Sequence, residues 1–399
     1  MPAVRVLCVG NMYPPHHLGG YELVWRSAVG ALRASGHQTR VLTTDYRLPG
    51  VDPDAASDPD VHRELRWYWR DHEFPRMSVR ACLELERDNA AVLARQLDEF
   101  EPDVVSWWAM GGMSLSLIEQ VRRAGVPAIG VVNDHWPVYG PKVDAWSRLA
   151  SRPLVGPALR RIGPPPITLD AAGGRWLFVS EHVRQAALAA GWQVPDSEIA
   201  PSGVDLTLFA EAPKQPWRWR LLCAGRIDSR KGIDSAIAAL PELPAQASLV
   251  VAGRGDDEHL GELRTLADRL GVGGQVSFTE RPHRELASVY ADSDAVLFPV
   301  QWAEPWGTVP LEGMAVGRPV VATGTGGSGE FLRDGENCLL FDRDGNGPAL
   351  AQAVTRLADD PSLRARLRSG GLDTARHYDQ RHFTDAVHAA LEHTVGATA

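Results

Sequence analysis

Four cysteines, none in Cys-x-x-Cys spacing, leave this chain of 399 residues no basis for a disulfide framework or a cysteine zinc site. Cys8, Cys82, Cys223 and Cys338 read as small buried hydrophobes of a reducing compartment. No apolar run approaches the roughly 18 residues that a membrane span requires. The segment Met1-Pro2-Ala3-Val4-Arg5 runs straight into a strand-like stretch and shows no secretory signal pattern, so a cytoplasmic location is expected. Positive charge is in the minority, with 41 Lys and Arg against 50 Asp and Glu and a net charge of −9. With no long basic run either, that balance argues against a nucleic-acid partner, although it leaves room for a local phosphate pocket. No sequence repeat of solenoid period is evident.

What is present is an ordinary globular composition, 44% hydrophobic and 23% charged, in a chain too long for one core. Val4 to Val9 reads as a buried strand, Tyr21 to Ala34 as a helix with Leu23, Ala28 and Leu32 on one face, and Thr39 to Leu42 as the next strand. Strand–helix alternation recurs at 103–107, 114–124, 127–132, 176–179 and 181–190. It restarts after Glu211-Ala212-Pro213-Lys214-Gln215-Pro216, a linker-like stretch. Strands are then expected at 219–224, 248–252, 275–278, 295–299 and 319–322, with helices at 231–240, 257–270, 284–291, 309–316 and 347–358. Residues 45–75 read as irregular and 148–169 as an Arg- and Pro-rich loop or lid. A final helix near 379–395 follows a break at Gly370-Gly371. The expected architecture is α/β, with two doubly wound Rossmann-like domains at 1–212 and 213–376 and a C-terminal helix, 377–399, packing back on the first. Ligands of such sheets bind beyond the carboxyl ends of the strands, so two facing domains make a cleft between them.

The motifs fall just after predicted strands. In Gly225-Arg226-Ile227-Asp228-Ser229-Arg230-Lys231-Gly232, the cations Arg226 and Lys231 sit where they can neutralise a diphosphate at a helix N-terminus. A turn with two solvated cations is the plainer alternative. Glu304 and Glu312 stand eight residues apart in Glu304-Pro305-Trp306-Gly307-Thr308-Val309-Pro310-Leu311-Glu312, with Thr308 as the expected helix cap. Glu304 is then free for sugar hydroxyls and Glu312 for ribose hydroxyls; two dipole-favoured carboxylates at a helix start are the alternative. As a glycosidase pair they fit poorly, since eight helical residues span about 12 Å. Gly324-Thr325-Gly326-Gly327-Ser328-Gly329 matches a dinucleotide fingerprint literally, which keeps an NAD-dependent oxidoreductase in view, but it lies late in its domain.

In the first half, Gly19-Gly20 at a helix start lets backbone approach a phosphate, with a flexible turn as the plainer alternative. Asn133-Asp134-His135 ends a strand where the His135 imidazole can face a reacting sugar as a catalytic group, with a structural histidine as the alternative. The Asp-x-Asp triplets Asp52/Asp54, Asp58/Asp60, Asp292/Asp294 and Asp342/Asp344 read as solvated acids rather than metal ligands. No metal site is expected. Thirteen tryptophans offer faces for sugar rings, though core or surface packing is the commoner use of a residue such as Trp67 or Trp217.

Taken together, these residues resemble the retaining glycosyltransferases of family 4, which have the GT-B fold. The resemblance runs over nearly the whole chain. It is carried by Leu18-Gly19-Gly20-Tyr21-Glu22 with Gly36-His37, Ser180-Glu181-His182, Pro201-Ser202-Gly203-Val204-Asp205, Gly225-Arg226 with Lys231-Gly232, the two glutamates, and Gly326-Gly327 through Glu330 to Asp334-Gly335-Glu336-Asn337. It implies transfer of a sugar from a nucleoside diphosphate to a hydroxyl with retained configuration, without a metal or other cofactor. It further implies that Arg226 and Lys231 hold the diphosphate, Glu312 the ribose, and Glu304 with the backbone of Trp306, Gly307, Thr308 and Val309 the donor sugar and phosphate. Gly20 would approach the diphosphate from the first domain, the acceptor-binding one. The chain departs from the family pattern where Asn133 stands at a usual histidine, with Asp134 next and His135 two places on, and again at Ser202 and Cys338. The acceptor is expected to be a small molecule or a glycoconjugate precursor. Arg148, Arg152, Arg160 and Arg161 raise a membrane surface as the less favoured partner. A nucleotide-sugar-binding protein without turnover is the non-enzymatic alternative.

Overall fold

A computed structural model describes residues 3–51, 58–69, 73–169 and 174–397. Contacts divide the chain into two units, Met1–Ala200 with Thr384–Ala399, and Pro201–Phe383.

In the first unit the elements run β1 (Arg5–Val9), α1 (Gly20–Ala34), β2 (Gln38–Thr44), β3 (Val61–Leu65), α2 (Val79–Phe100), β4 (Val104–Trp107), α3 (Ser116–Arg123), β5 (Ala128–Val132), α4 (Trp136–Val143), α5 (Ala145–Ala150), α6 (Gly156–Ile162), β6 (Arg175–Phe178), α7 (Glu181–Ala189) and β7 (Ser197–Ile199). The seven strands pair in the order β3-β2-β1-β4-β5-β6-β7, all parallel. Leu7, Cys8 and Val9 are fully buried, as expected of a parallel strand covered on both faces. The buried face of α1 runs through Trp25, Ala28, Val29 and Leu32 at helical spacing, while Leu23 is only half-buried. Trp25, Trp108, Trp136, Trp176 and Trp192 are core residues.

The second unit runs β8 (Arg220–Ala224), α8 (Ile233–Ala239), β9 (Ser248–Ala252), α9 (Asp257–Arg269), β10 (Val276–Thr279), α10 (His283–Asp292), β11 (Ala295–Phe298), α11 (Thr308–Val316), β12 (Val320–Ala322), β13 (Leu339–Leu340), α12 (Asn346–Asp359) and α13 (Pro361–His377), and the last helix is α14 (Gln380–Gly396). Its six parallel strands are ordered β10-β9-β8-β11-β12-β13. Leu221, Leu249, Val251, Leu297, Val321 and Leu350 stand in its core. Strand order reverses between β8 and β11, so the loops leaving these two strands diverge and leave a crevice at their carboxyl ends. Stretch 211–216 lies in this unit, where the buried Arg368 of α13 donates to the Ala212 carbonyl at 2.6 Å and pairs with Glu211 at 2.8 Å.

Several expectations are corrected. Residues 45–75 are not irregular throughout, because β3 extends the sheet from β2. Segment 148–169 is not loop throughout, since it holds the end of α5 and all of α6, with irregular stretches between and after them. Gly370-Gly371 does not break the chain but lies within α13, where small residues let Gly371 pack on Met314. The helix expected at 231–240 begins instead with a 3-10 turn at Ser229–Lys231 and continues as α8. Among the described residues no helix is long and apolar enough to cross a membrane.

Candidate active site

The loop after β8 and the loop after β11 meet at the switch point of the second sheet, joined where the Gln301 N–H donates to the Arg230 carbonyl at 2.8 Å. The loop after β11 is splinted by the loop after β12 in steps of two residues. The Thr323 hydroxyl donates to the Val300 carbonyl at 2.9 Å, the Thr325 hydroxyl to Trp302 at 2.6 Å, and the Gly327 N–H to Glu304 at 2.7 Å. This prolongs the parallel pairing of β11 with β12, and it places Trp302 and Glu304 on one side of the loop. Gly326 is indispensable to it, with φ of +66° and an added Cβ falling 2.4 Å from the Glu304 carbonyl oxygen. The literal GxGxxG is therefore a backbone splint. It ends in a 3-10 turn, Gly327–Glu330, rather than opening the helix that a dinucleotide fingerprint requires.

Glu304 is buried, with 7% of its surface exposed, and is met by Lys231 Nζ at 3.1 and 2.9 Å and by the Trp302 indole N–H at 2.6 Å. The Arg230 guanidinium lies 4.6 Å over the Trp302 ring. Arg226 pairs with Asp228 at 2.9 Å, and Arg230 pairs with the same carboxylate at 2.8 Å. Burial pushes the Asp228 carboxyl up, but the Arg230 bond and the charges of Arg226, Arg230 and Lys231 outweigh it and hold it below its ordinary value. Three cations thus gather on a loop of few residues, and Asp228 and Glu304 offset part of their charge.

Helix α11 begins beside them. Its cap is Gly307, with φ of 94°, and Thr308 is the first helical residue rather than the cap expected from sequence. No side chain caps this end, so the first-turn N–H groups of α11 remain for an anion. The Trp306 side chain is core: its indole N–H donates to the Ser202 carbonyl at 2.7 Å and its ring packs on Phe331 and Tyr378. Glu312, on α11, has partners of its own. Tyr290 donates to Oε2 at 2.5 Å, and His283 Nε2 lies 3.6 Å from Oε1. The two glutamates therefore serve separate places.

Sequence reasoning assigned Arg226, Lys231, Glu304 and Glu312 and passed over Asp228, Arg230, Trp302, Tyr290 and His283. Trp302 was open to inference, because a residue two places before Glu304 in an extended loop shares its side. Tyr290 was not, since its spacing on α10 is that of an ordinary core residue.

The remaining candidates belong to the first unit. Gly19 caps α1, and its N–H donates to the buried Glu22 carboxylate at 3.0 Å, which positions Gly20 as the first helical residue. Tyr21 donates to the Val131 carbonyl at 2.5 Å, tying α1 to the end of β5. Asp134 accepts from the Trp136 N–H at 3.0 Å and the Tyr139 hydroxyl at 3.1 Å, so it shapes the start of α4. His135 caps that helix and meets the His182 ring edge-on at 5.3 Å. Asn133 differs from both: its Nδ2 and Oδ1 are buried and have no hydrogen-bond partner in the structure. Such a carboxamide is costly unless something else satisfies it.

The acidic triplets have structural partners. Asp58 and Asp60 pair with Arg33 at 2.6 and 3.6 Å, Asp294 accepts the N–H groups of Arg218 and Arg220, and Asp342 caps a 3-10 turn. Asp52/Asp54 lies outside the described residues. Among the described residues one group of ligating side chains converges, His37, His388 and Glu392. His37 Nδ1 accepts the Val4 N–H at 3.2 Å, so in the neutral ring Nε2 carries the proton and gives it to His388 Nε2 at 2.6 Å. A protonated nitrogen offers a metal no lone pair.

Comparison with known proteins agrees with this architecture. Residues 207–373 match the family described as Glycosyl transferases group 1, and residues 18–208 match Glycosyltransferase Family 4. A GDP-mannose-dependent alpha-(1-6)-phosphatidylinositol monomannoside mannosyltransferase of Mycolicibacterium smegmatis is 32% identical over 292 residues, covering 68% of this chain and 72% of that protein. The protein of the same description from Mycobacterium tuberculosis is 29% identical over 377 residues, 89% of this chain and 87% of the relative. A D-inositol 3-phosphate glycosyltransferase of Stackebrandtia nassauensis is 35% identical over 208 residues, but these make up 47% of this chain and 46% of the relative. In fold, sucrose-phosphate synthase from Thermosynechococcus elongatus superposes with a TM-score of 0.75 at 20% identity, over 99% of this chain and 100% of that one. The lipopolysaccharide glycosyltransferase WaaG gives 0.67 at 20% identity, over 97% and 98%. The molecule is a glycosyltransferase with the GT-B fold. It belongs to glycosyltransferase family 4.

Proposed function

We propose that this enzyme moves a hexosyl group from a nucleoside-diphosphate-sugar to a hydroxyl of a small molecule or glycoconjugate precursor, with retention and without a metal ion. The observation that carries the reading is the convergence, at the switch point, of Lys231, Arg230 and Arg226 with the buried Glu304 beside the uncapped start of α11. An anion and a hydroxyl-rich ring are the ligand parts such a site suits.

In this reading Arg226 and Lys231 neutralise the diphosphate and the first-turn N–H groups of α11, from Gly307 to Val309, bind a phosphate oxygen. Glu304 accepts from sugar hydroxyls and Glu312 from ribose hydroxyls. In the first unit Gly19 and Gly20 offer backbone to phosphate. The unsatisfied carboxamide of Asn133 is the better candidate for sugar contact, because Asp134 is engaged at the start of α4. The acceptor oxygen forms its bond to the anomeric carbon on the face that the diphosphate leaves. The carbon–oxygen bond to phosphate breaks, and a departing phosphate oxygen takes the acceptor proton. Charge develops on that oxygen, where cations held in place contribute most.

The test begins with thermal shifts of purified protein with UDP, GDP, dTDP and ADP and their sugars. The stabilising donor is then incubated with candidate acceptors in the presence of EDTA, and the product's anomeric configuration is read by NMR. Turnover with retained configuration in EDTA is the expected result. Tight nucleotide binding without turnover of any donor, an inverted product or loss of activity in EDTA would overturn the corresponding part.

A further inference from the structure

We propose that Tyr290 and His283 are positioning residues that fix the Glu312 carboxylate for the donor's ribose, and so set a preference for ribo- over 2′-deoxyribonucleotides. The proposal rests on the reading of Glu312 as the ribose-holding group.

Helix α10 presents His283 and Tyr290 seven residues apart, two helical turns, and therefore on one face. Both meet Glu312 of the neighbouring α11. Tyr290 has no exposed surface, and its hydroxyl donates to Oε2 at 2.5 Å. Burial first, and the Glu312 charge second, keep this phenol protonated far into alkaline conditions, so it remains a donor. Its ring cannot swing aside, because the buried Phe209 meets it edge-on at 5.5 Å and 88°, and meets the His283 ring at 5.4 Å and 68°. One carboxylate oxygen is thereby committed and the plane of the group fixed. His283 Nε2 stands 3.6 Å from the other oxygen, Oε1, beyond hydrogen-bond length but close enough to limit where it turns.

The chemistry of a ribose follows from this arrangement. Its vicinal hydroxyls are two donors, and a carboxylate held in one orientation receives them without first losing rotational freedom. A site built to pair with a hydroxyl also rejects the analogue lacking it, because its own polar group is left unpaired. If Glu312 turned freely, it would adapt to a single hydroxyl and discriminate less.

The test compares dissociation constants of GDP with 2′-deoxy-GDP, and of UDP with 2′-deoxy-UDP, for the full chain and three variants. Tyr290→Phe keeps the ring and removes the donor. It is expected to lower the ribo-to-deoxyribo preference about fivefold to tenfold, the upper part of the range of one ordinary hydrogen bond, because the loss acts on the ribose only through Glu312. His283→Ala, at the start of α10, is expected to lower it about twofold to threefold, the range of a weak partly exposed contact. Glu312→Ala should bring the ratio near one. If Glu312→Ala abolishes the preference while Tyr290→Phe and His283→Ala keep it, the positioning role is overturned and the ribose reading stands. If Glu312→Ala itself keeps the preference, or the unaltered protein shows none, the ribose reading fails and takes the proposal with it. Equal weakening of both nucleotides by Tyr290→Phe marks a merely structural tyrosine and also overturns it. Should Tyr290→Phe not fold, an unchanged ratio in His283→Ala overturns the proposal by itself.

Discussion

Lys231 and Glu304 hold each other across the switch point, the ammonium reaching both carboxylate oxygens at 3.1 and 2.9 Å. The pair is mostly shielded from solvent, with 20% of the lysine and 10% of the glutamate side chain exposed. Each keeps the other in place, and in the proposed reading a donor would supply phosphate for one and hydroxyls for the other. Lys231→Ala is expected to lower kcat by about 10²–10³-fold, the cost of losing one fixed cation at a developing anion. Glu304→Ala is expected to lower kcat/KM by about 10²-fold or more, because the donor sugar loses its buried charged acceptor and Lys231 its partner. Circular dichroism should show both variants folded, since the pair lies on loops rather than in the sheet core. Full activity in either would count heavily against the site.

Gly326 supports Glu304 from behind and touches no expected ligand. Its φ of +66° and the 2.4 Å separation between an added Cβ and the Glu304 carbonyl oxygen leave no room for alanine. Gly326→Ala is expected to cost about 1–3 kcal/mol of stability from backbone strain. It should also raise the donor KM more than it lowers kcat, because the Glu304 loop shifts as a unit. Thermal melting together with initial-rate kinetics checks both; an unchanged melting temperature would mean the splint gives way freely.

Ten of the thirteen strands among the described residues were legible because parallel strands read as short apolar runs, as at 248–252 and 295–298, whereas β3, β7 and the two-residue β13 were not. The switch-point loops were legible because cations and acids follow those runs immediately. Helix α2 escaped notice for a physical reason: its buried face is Cys82, Leu85, Glu86, Asn89, Leu93 and Gln96, so half of the periodic positions are polar. Strand β3 carries His62, Arg63 and Glu64, which mask an edge strand as loop. Tyr290 meets Glu312 from another helix, and no spacing rule connects the two across the fold, whereas Trp302 stands only two places before its partner Glu304.

The polar face of α2 has its own consequence. Fully buried Glu86 accepts hydroxyl bonds from Tyr68 at 2.7 Å and Ser116 at 2.5 Å. Asp144 nearby accepts the N–H of Leu115 and both the N–H and hydroxyl of Ser147. Hydroxyls can reverse their donation while peptide N–H groups cannot, so the proton of the pair belongs on Glu86. Burial, and then the Asp144 charge, push the Glu86 carboxyl up to about 8 from 4.5. The folded chain thus holds a proton that the unfolded chain releases, and this contribution to stability, full below pH 4.5, falls as pH rises to about 8. Glu86→Gln, a neutral mimic, should flatten the decline in melting temperature over that interval; an identical decline would place the proton elsewhere.

The histidine clasp in the first unit predicts the opposite slope. His37 is bonded at both nitrogens in its neutral form, accepting from the Val4 N–H and donating to His388 of α14. A second proton has nowhere to go without breaking one of these bonds. Burial, and then the charge of His388, lower the His37 value below 6.5, with Glu392 opposing. The unfolded chain therefore binds the proton first, and the stability supplied by the neutral pair, full above pH 6.5, declines as pH falls below it. His37→Gln retains an acceptor and a donor but cannot be charged. Denaturant titrations between pH 7.5 and 5 should show a shallower acid-side loss for this variant than for the unaltered protein. Hydrogen exchange should show α14 opening earlier than the core strands as the unaltered protein is acidified. Equal acid slopes for the two proteins would assign the sensitivity to other groups and leave the clasp a packing contact alone.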